Sequence, residues 1–174
     1  AHQIMDVNKI NSLVELYFKK VEQIDKKKPF LKWLNSKDNH EYNWEEVTEK
    51  IFKITHKIKS LIKGGDRVLL LSENRPEWLI TDLAIMNAGG ITVPIFTTYA
   101  ERDYEYILKD CSPSLIIVSN DTQFKKIKKF VLNKKIISFE NIKSPSITFE
   151  KIFNEKYERE INDKLNRKLP ACII

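Results

Sequence analysis

Apolar positions along this chain change their period once, near residue 65, and the change divides the predicted elements into two groups. From Lys9 to Asp25 the apolar side chains are Ile10, Leu13, Val14, Tyr17, Phe18, Val21 and Ile24, a three-and-four spacing that predicts an amphipathic helix. Pro29 stops it. Phe30 to Leu34 and His40 to Trp44 read as short strands, and the turn formers Asn35-Ser36-Lys37-Asp38-Asn39 between them predict a hairpin. Asn43 then serves as an N-cap, with Glu46 three positions on as a capping-box partner. The apolar stripe Trp44, Val47, Ile51, Ile54, Ile58, Leu61 and Ile62 predicts a helix running to Gly64-Gly65.

Beyond that point short continuous apolar runs alternate with helical patterns. Strands are predicted at Arg67 to Leu71, Ile91 to Phe96, Leu115 to Val118 and Lys135 to Phe139. Helices are predicted from Pro76 to Gly89-Gly90, from the end of Thr97-Thr98-Tyr99-Ala100 to Pro113, and from Asp121 to Leu132. Thr148 is expected to cap a long charged helix reaching Leu169. Apolar strands separated by helices imply parallel pairing through right-handed crossovers. The expected fold class is therefore α/β: an open, mainly parallel sheet with flanking helices, preceded by a helix and a β-hairpin. Residues 1–28 form the N-terminal helix of this scheme and residues 29–174 the α/β subdomain. Pro170-Ala171-Cys172-Ile173-Ile174 looks like the start of a further buried strand. A chain stopping inside such a strand is read as truncated; a short closing edge strand is the alternative.

Composition narrows the classes. At 174 residues, 42% hydrophobic and 31% charged, the chain is neither collagen-like nor disordered. Its net charge of +6 is carried by twenty-five Lys and five Arg. Readers of base edges favour Arg forks, so the expectation is no nucleic-acid partner. The densest run, Lys125, Lys126, Lys128 and Lys129, is expected on the solvated face of a helix whose inner stripe is Phe124, Ile127, Phe130 and Val131. Cys111 and Cys172 make no disulfide framework, and with no secretory signal or membrane-spanning run the expectation is a reduced, cytoplasmic protein. His2, His40 and His56 are scattered, so no metal site is expected.

Chemistry is looked for beyond the carboxyl ends of the strands, where open α/β sheets bind ligands. Those loops contain neither Gly-x-Gly-x-x-Gly nor Gly-x-x-x-x-Gly-Lys, and both glycine pairs precede strands, on the wrong side for a phosphate loop. Glu73 and Arg75 either form a charge pair over a ligand or anchor their loop. Ser72 and Ser119 lack a hydrolase elbow. Cys111 reads as a packed thiol. From the residues alone, no site can be assigned.

One stretch is specific. Gly65-Asp66-Arg67-Val68-Leu69-Leu70-Leu71-Ser72-Glu73-Asn74-Arg75-Pro76-Glu77-Trp78, continued by Asp82-Leu83-Ala84-Ile85-Met86-Asn87-Ala88-Gly89-Gly90-Ile91-Thr92-Val93-Pro94-Ile95, resembles the N-terminal part of adenylate-forming acyl-CoA synthetases, the AMP-binding superfamily. The long-chain fatty acid–CoA ligase branch is the nearest likeness. Tyr42 to Val47, Tyr106 to Cys111 and Val118 to Asn120 extend it, so that it covers Phe30 to Asn120. The resemblance implies a two-step ligase that uses ATP and magnesium to convert a fatty acid to an acyl-adenylate, which coenzyme A then converts to a thioester. The family's phosphate loop, nucleotide motif and C-terminal lysine have no counterpart here, so no catalytic, cofactor-binding or metal residue carries over. The expected fragment is inactive and binds no cofactor itself. Phe96, Thr97 and Thr98 are the substrate-proximal candidates, since their loop could face the cleft. Peripheral membrane contact through the lysine-rich face and self-association through an exposed apolar surface complete the expected partners. The rival reading is a self-contained α/β binding or regulatory module with a lysine-rich face.

Overall fold

The computed structural model describes residues 13–25, 27–34 and 39–162. The first helix, α1, spans Leu13–Gln23 and buries Val14, Tyr17, Phe18 and Val21, the inner stripe of the predicted pattern. The hairpin follows: β1 (Pro29–Leu34) pairs antiparallel with β2 (Asn39–Asn43), while its turn at residues 35–38 lies outside the described residues. Asn43 caps α2 (Trp44–Lys59) by accepting the Glu46 amide at 2.8 Å.

Five parallel strands form the sheet: β3 (Arg67–Leu71), β4 (Ile91–Ile95), β5 (Leu115–Val118), β6 (Lys135–Ser138) and the short β7 (Ile147–Thr148). Their order is β4-β3-β5-β6-β7, so the chain winds one way from β3 to β4 and the other way from β3's far edge onward. This is the doubly wound arrangement 2-1-3-4-5. The continuous apolar strands resolve into two faces. Val68, Leu70, Leu115, Ile117 and Ile137 pack with α1, α2, α3 (Pro76–Asn87) and α6 (Phe149–Asn154). Leu69, Leu71, Val93, Ile95, Ile116 and Val118 pack with α4 (Glu101–Cys111) and α5 (Asp121–Ile127). Helices on both faces are why the central strand positions are apolar on either side of the sheet. Ile51, Ile54, Leu69, Leu70, Ile116 and Ile117 are fully buried, each contributing about 1.5–3 kcal/mol of transfer free energy.

The structure departs from expectation at the helix ends. α2 stops at Lys59, well before the glycines: Ser60 and Leu61 donate to Lys57 and Ile58 at 3.1 and 2.9 Å, tightening the last turn, and Leu61 and Ile62 follow it. Gly64-Gly65 therefore forms a turn of its own, with Gly65 at φ 84° and Asp66 donating to the Lys63 carbonyl at 3.0 Å. The second pair does cap its helix. Gly89 at φ 83° donates to Met86, and Gly90 donates to Ile85, both at 3.0 Å, the paired bonds of a Schellman end. α5 ends at Ile127 and continues as one 3-10 turn over Lys128–Phe130, not as α-helix to Leu132.

The largest correction concerns Thr148. It does cap a helix, accepting the Lys151 amide at 3.3 Å, but α6 ends at Asn154. Glu155 is extended (φ −84°, ψ 155°), and residues 155–162 form a strap across α2 and α3. Tertiary bonds hold it there. Lys57 pairs with Glu155 at 2.6 Å, Lys59 pairs with Glu160, and Glu49 receives both Tyr157 and Arg159. Buried Asn87 donates to the Glu160 carbonyl at 2.8 Å and accepts the Asn162 amide at 2.9 Å. The remainder of the expected helix, and the strand expected at Pro170 to Ile174, lie outside the described residues.

Candidate functional site

In a sheet of this order the ligand crevice falls where winding reverses, beyond the carboxyl ends of β3 and β5. The segments that flank it are Ser72 to Arg75 and Ser119-Asn120. Glu73 fills it. One of its carboxylate oxygens accepts Asn120 Nδ2 at 3.0 Å and Gln123 Nε2 at 2.9 Å. Burial pushes the Glu73 carboxyl up, but the polar groups around it, Gln123 and Asn120 among them, outweigh that, and its pKa lies below the usual carboxylate value. Asn120 also caps α5, accepting the Gln123 amide at 3.1 Å.

The neighbouring backbone donors are engaged as well. The Ser119 amide bonds Leu71 at 3.1 Å, Phe139 bonds Val118 at 3.0 Å, and Glu140 bonds Ser119 at 3.0 Å. The Glu73 carboxylate repels a phosphate placed between these strand ends. Among the described residues no three His, Cys, Asp or Glu side chains are grouped as a metal site.

Of the two readings of Glu73 and Arg75, the geometry displays the anchor. Arg75 Nε bonds Glu77 at 3.0 Å and its Nη1 bonds Glu140 at 2.7 Å, while the guanidinium lies 5.5 Å from the Phe139 ring centre. Burial would lower the Arg75 pKa, yet its bonds to Glu77 and Glu140 raise it. It thus ties the loop after β3 to α3 and to the loop after β6, with Glu73 fastening the same loop to α5.

Phe96, Thr97 and Thr98 follow β4, with Phe96 just outside the strand that was expected to include it. The Phe96 ring is 63% exposed and meets Tyr99 edge-on at 5.4 Å. The loop's backbone is fixed: Tyr104 Oη donates to the Phe96 carbonyl at 2.8 Å, and Lys126 Nζ to the Thr97 carbonyl at 2.6 Å. Thr97 is half-buried and Thr98 exposed. The structure brings these three together on one rim, next to α4 and α5.

The lysine run is partly neutralised by the same neighbours. Lys125 pairs with Asp121 at 3.3 Å, Lys129 pairs with Glu101, and Lys126 is held by Thr97. Cys111 is buried, as a packing residue is. His56 Nδ1 accepts the Glu158 amide at 3.4 Å, and the side chains of His2 and His40 lie outside the described residues. Among the described residues no helix is long and apolar enough to cross a membrane.

Two features escaped the sequence. Asn87 and Glu49 look like ordinary polar residues of helical segments, and their bonds to the strap are visible only in the fold. Lys50 reads as one lysine of a helix face, and the packing of β2 and α6 encloses it.

Comparison with known proteins agrees with this architecture. Residues 18–174 match the AMP-binding enzyme family, and the chain belongs to that family. It is similar to the long-chain-fatty-acid–CoA ligase ACSBG2 of Gallus gallus, with 34% identity over 96 residues, 52% of this chain and 12% of the relative. Long-chain-fatty-acid–CoA ligase FadD15 of Mycobacterium bovis is 34% identical over 61 residues, 35% of this chain and 10% of the relative. The aligned stretches are thus a small part of those relatives' length. Among solved structures, the Brucella canis acyl-CoA synthetase superposes with a TM-score of 0.69 over 80% of this chain and 27% of its own, at 18% identity. That likeness concerns the fold, an N-terminal α/β layer of acyl-CoA synthetases.

Proposed function

We propose that this chain is the N-terminal part of a long-chain fatty acid–CoA ligase, the structural layer on which the rest of an adenylate-forming enzyme is built. The observation that carries the reading is the family match over residues 18–174, together with 34% identity to a protein named as such a ligase. In this reading the whole protein activates a fatty acid with ATP and magnesium and passes the acyl group to coenzyme A. Those ligands belong to the family's phosphate loop, nucleotide motif and C-terminal lysine, which have no counterpart in this chain. The contribution of this chain is to hold the rim of Phe96, Thr97 and Thr98 rigidly at the carboxyl edge, near the fatty acid. The chain by itself turns nothing over.

Peripheral membrane contact and self-association through exposed apolar side chains such as Phe96, Tyr106 and Leu132 belong to the same reading. Anionic-vesicle sedimentation and light scattering test them respectively.

The deciding experiment follows the open reading frame past the codon for Ile174 and measures palmitate-dependent release of AMP and formation of acyl-CoA by the full product. Activity from that product, with none from residues 1–174, is expected. A stop codon directly after Ile174, adenylation by the 174-residue chain alone, or a longer product inert toward every fatty acid overturns the proposal.

A further inference from the structure

A cleft of ≈ 350 Å³ opens between β2, α2, the start of α3 and α6. Its wall is aromatic: Phe139 and Phe149 stack at 4.6 Å, Phe149 and Phe153 meet at 5.3 Å, and Tyr42 and buried Ile80 complete it. Lys50 reaches into it from α2. Its Nζ lies 4.2 Å from the Phe153 ring centre and 5.4 Å from that of Tyr42. None of the ion pairs among the described residues involves Lys50.

This volume is at the lower end of small-molecule sites, and the lining sets four aromatic rings and Ile80 beside Lys50, Arg75, Glu77 and Glu150, which suits a ligand with an apolar chain and a polar, amine-reactive head. The charged groups around the amine are Glu46 and Lys53 on its own helix, Glu77 and Arg75 at the start of α3, and Glu150 on α6. Arg75 is shared between Glu77 at 3.0 Å and Glu140 at 2.7 Å, so Glu77 still acts on Lys50. Tyr42 faces it too, its phenol pushed up to about 12 by burial and by Glu77, and so is neutral. Burial lowers the Lys50 pKa, outweighing the opposite pull of Glu77 and Glu46, which raises the share of neutral, nucleophilic amine.

We propose that Lys50 is an acylation site: the aromatic cleft receives the apolar chain of an acyl thioester, and the Lys50 amine takes its acyl group. The amine lone pair forms the bond to the thioester carbonyl carbon, and the carbon–sulfur bond breaks with its electron pair leaving on sulfur. The surplus amine proton passes through water to the thiolate. The products are an amide on Lys50 and a free thiol, with no change of oxidation state. This inference is independent of the ligase reading, because the thioester is supplied from outside.

The test treats the 174-residue chain with the octanoyl and, separately, the acetyl thioester of N-acetylcysteamine, and maps modified lysines by peptide mass spectrometry. Lys109, whose side chain is 77% exposed, is the internal reference. Octanoylation at Lys50 is expected to exceed that at Lys109 by about tenfold, the effect of burying roughly two methylene groups. The excess should shrink with the acetyl donor. Lys50→Arg should lose this adduct alone, and Phe153→Ala should reduce the octanoyl preference. Equal labelling of Lys50 and Lys109, or the same octanoyl-to-acetyl ratio at both, overturns the proposal, and both readings come from the unmutated chain.

Discussion

Asn87→Ala probes the tie between the strap and the helical layer. The Asn87 side chain is fully buried and makes three bonds: Nδ2 to Thr55 Oγ1 at 3.1 Å and to the Glu160 carbonyl at 2.8 Å, and Oδ1 from the Asn162 amide at 2.9 Å. At about 1 kcal/mol net for each, the loss has a ceiling of about 3 kcal/mol. Two of the stranded groups are backbone atoms of a partly exposed segment, and they regain water if the strap lifts. Thr55 is buried but retains a bond to the Ala84 carbonyl at 3.5 Å. The expected loss is therefore about 1–3 kcal/mol, with the strap opening before the sheet. Urea denaturation gives the loss, and amide hydrogen exchange at Asn162 locates it. A loss below about 0.5 kcal/mol with the Asn162 amide still protected would refute the assignment of Asn87 as the clamp.

Three further perturbations follow from the same reading. The Glu73 carboxyl binds its proton more weakly in the folded state, so its stabilisation is complete above the unfolded pKa and is lost as pH falls through the folded one. Glu73→Gln should flatten that acid limb in denaturation midpoints measured against pH; an unchanged limb contradicts the network. Asp82 has the opposite sign: burial raises its pKa, so its ionisation opposes folding as pH rises through the folded pKa. Asp82→Asn is expected to stabilise the fold at neutral pH and to lose that advantage in acid, and equal midpoints throughout would count against it. The glycine turn separates two causes. Gly64→Ala meets nothing within 4 Å and is expected to be neutral or stabilising by about 0.5 kcal/mol, whereas Gly65→Ala, at φ 84°, should cost about 1–2 kcal/mol in thermal or urea melts.

Most of the α/β layer was legible because its signals are local. A capping asparagine at position 43, a proline at 76, and a glycine pair at 89 and 90 each act within one turn of backbone, and the structure shows each in its expected place. The four predicted apolar strands are all present, since apolar runs that short are stable only when covered on both faces. Helix length was less legible. The charged pattern after Thr148 has helical spacing, yet α6 stops at Asn154, because tertiary bonds from Asn87, Glu49, Lys57 and Lys59 outweigh a modest helical preference.

The candidate site was legible only as a set of loops. Glu73 and Arg75 were recognised as a pair of interest, but their partners come from Asn120 and Gln123 in one case and from Glu77 and Glu140 in the other. Those partners are brought near by the strand order.

By itself the sequence determined the family, the alternation of strands and helices, and the two-faced burial of the sheet. All of these depend on residue type and short-range spacing. Only the tertiary structure decided that the crevice beyond β3 and β5 is bridged by a carboxylate, that residues 155–162 are a strap, and that Lys50 stands in an aromatic cleft. Each of these depends on contacts between residues far apart in the chain. Spacing along a sequence specifies which way a side chain faces, whereas strand order and layer packing specify what it meets.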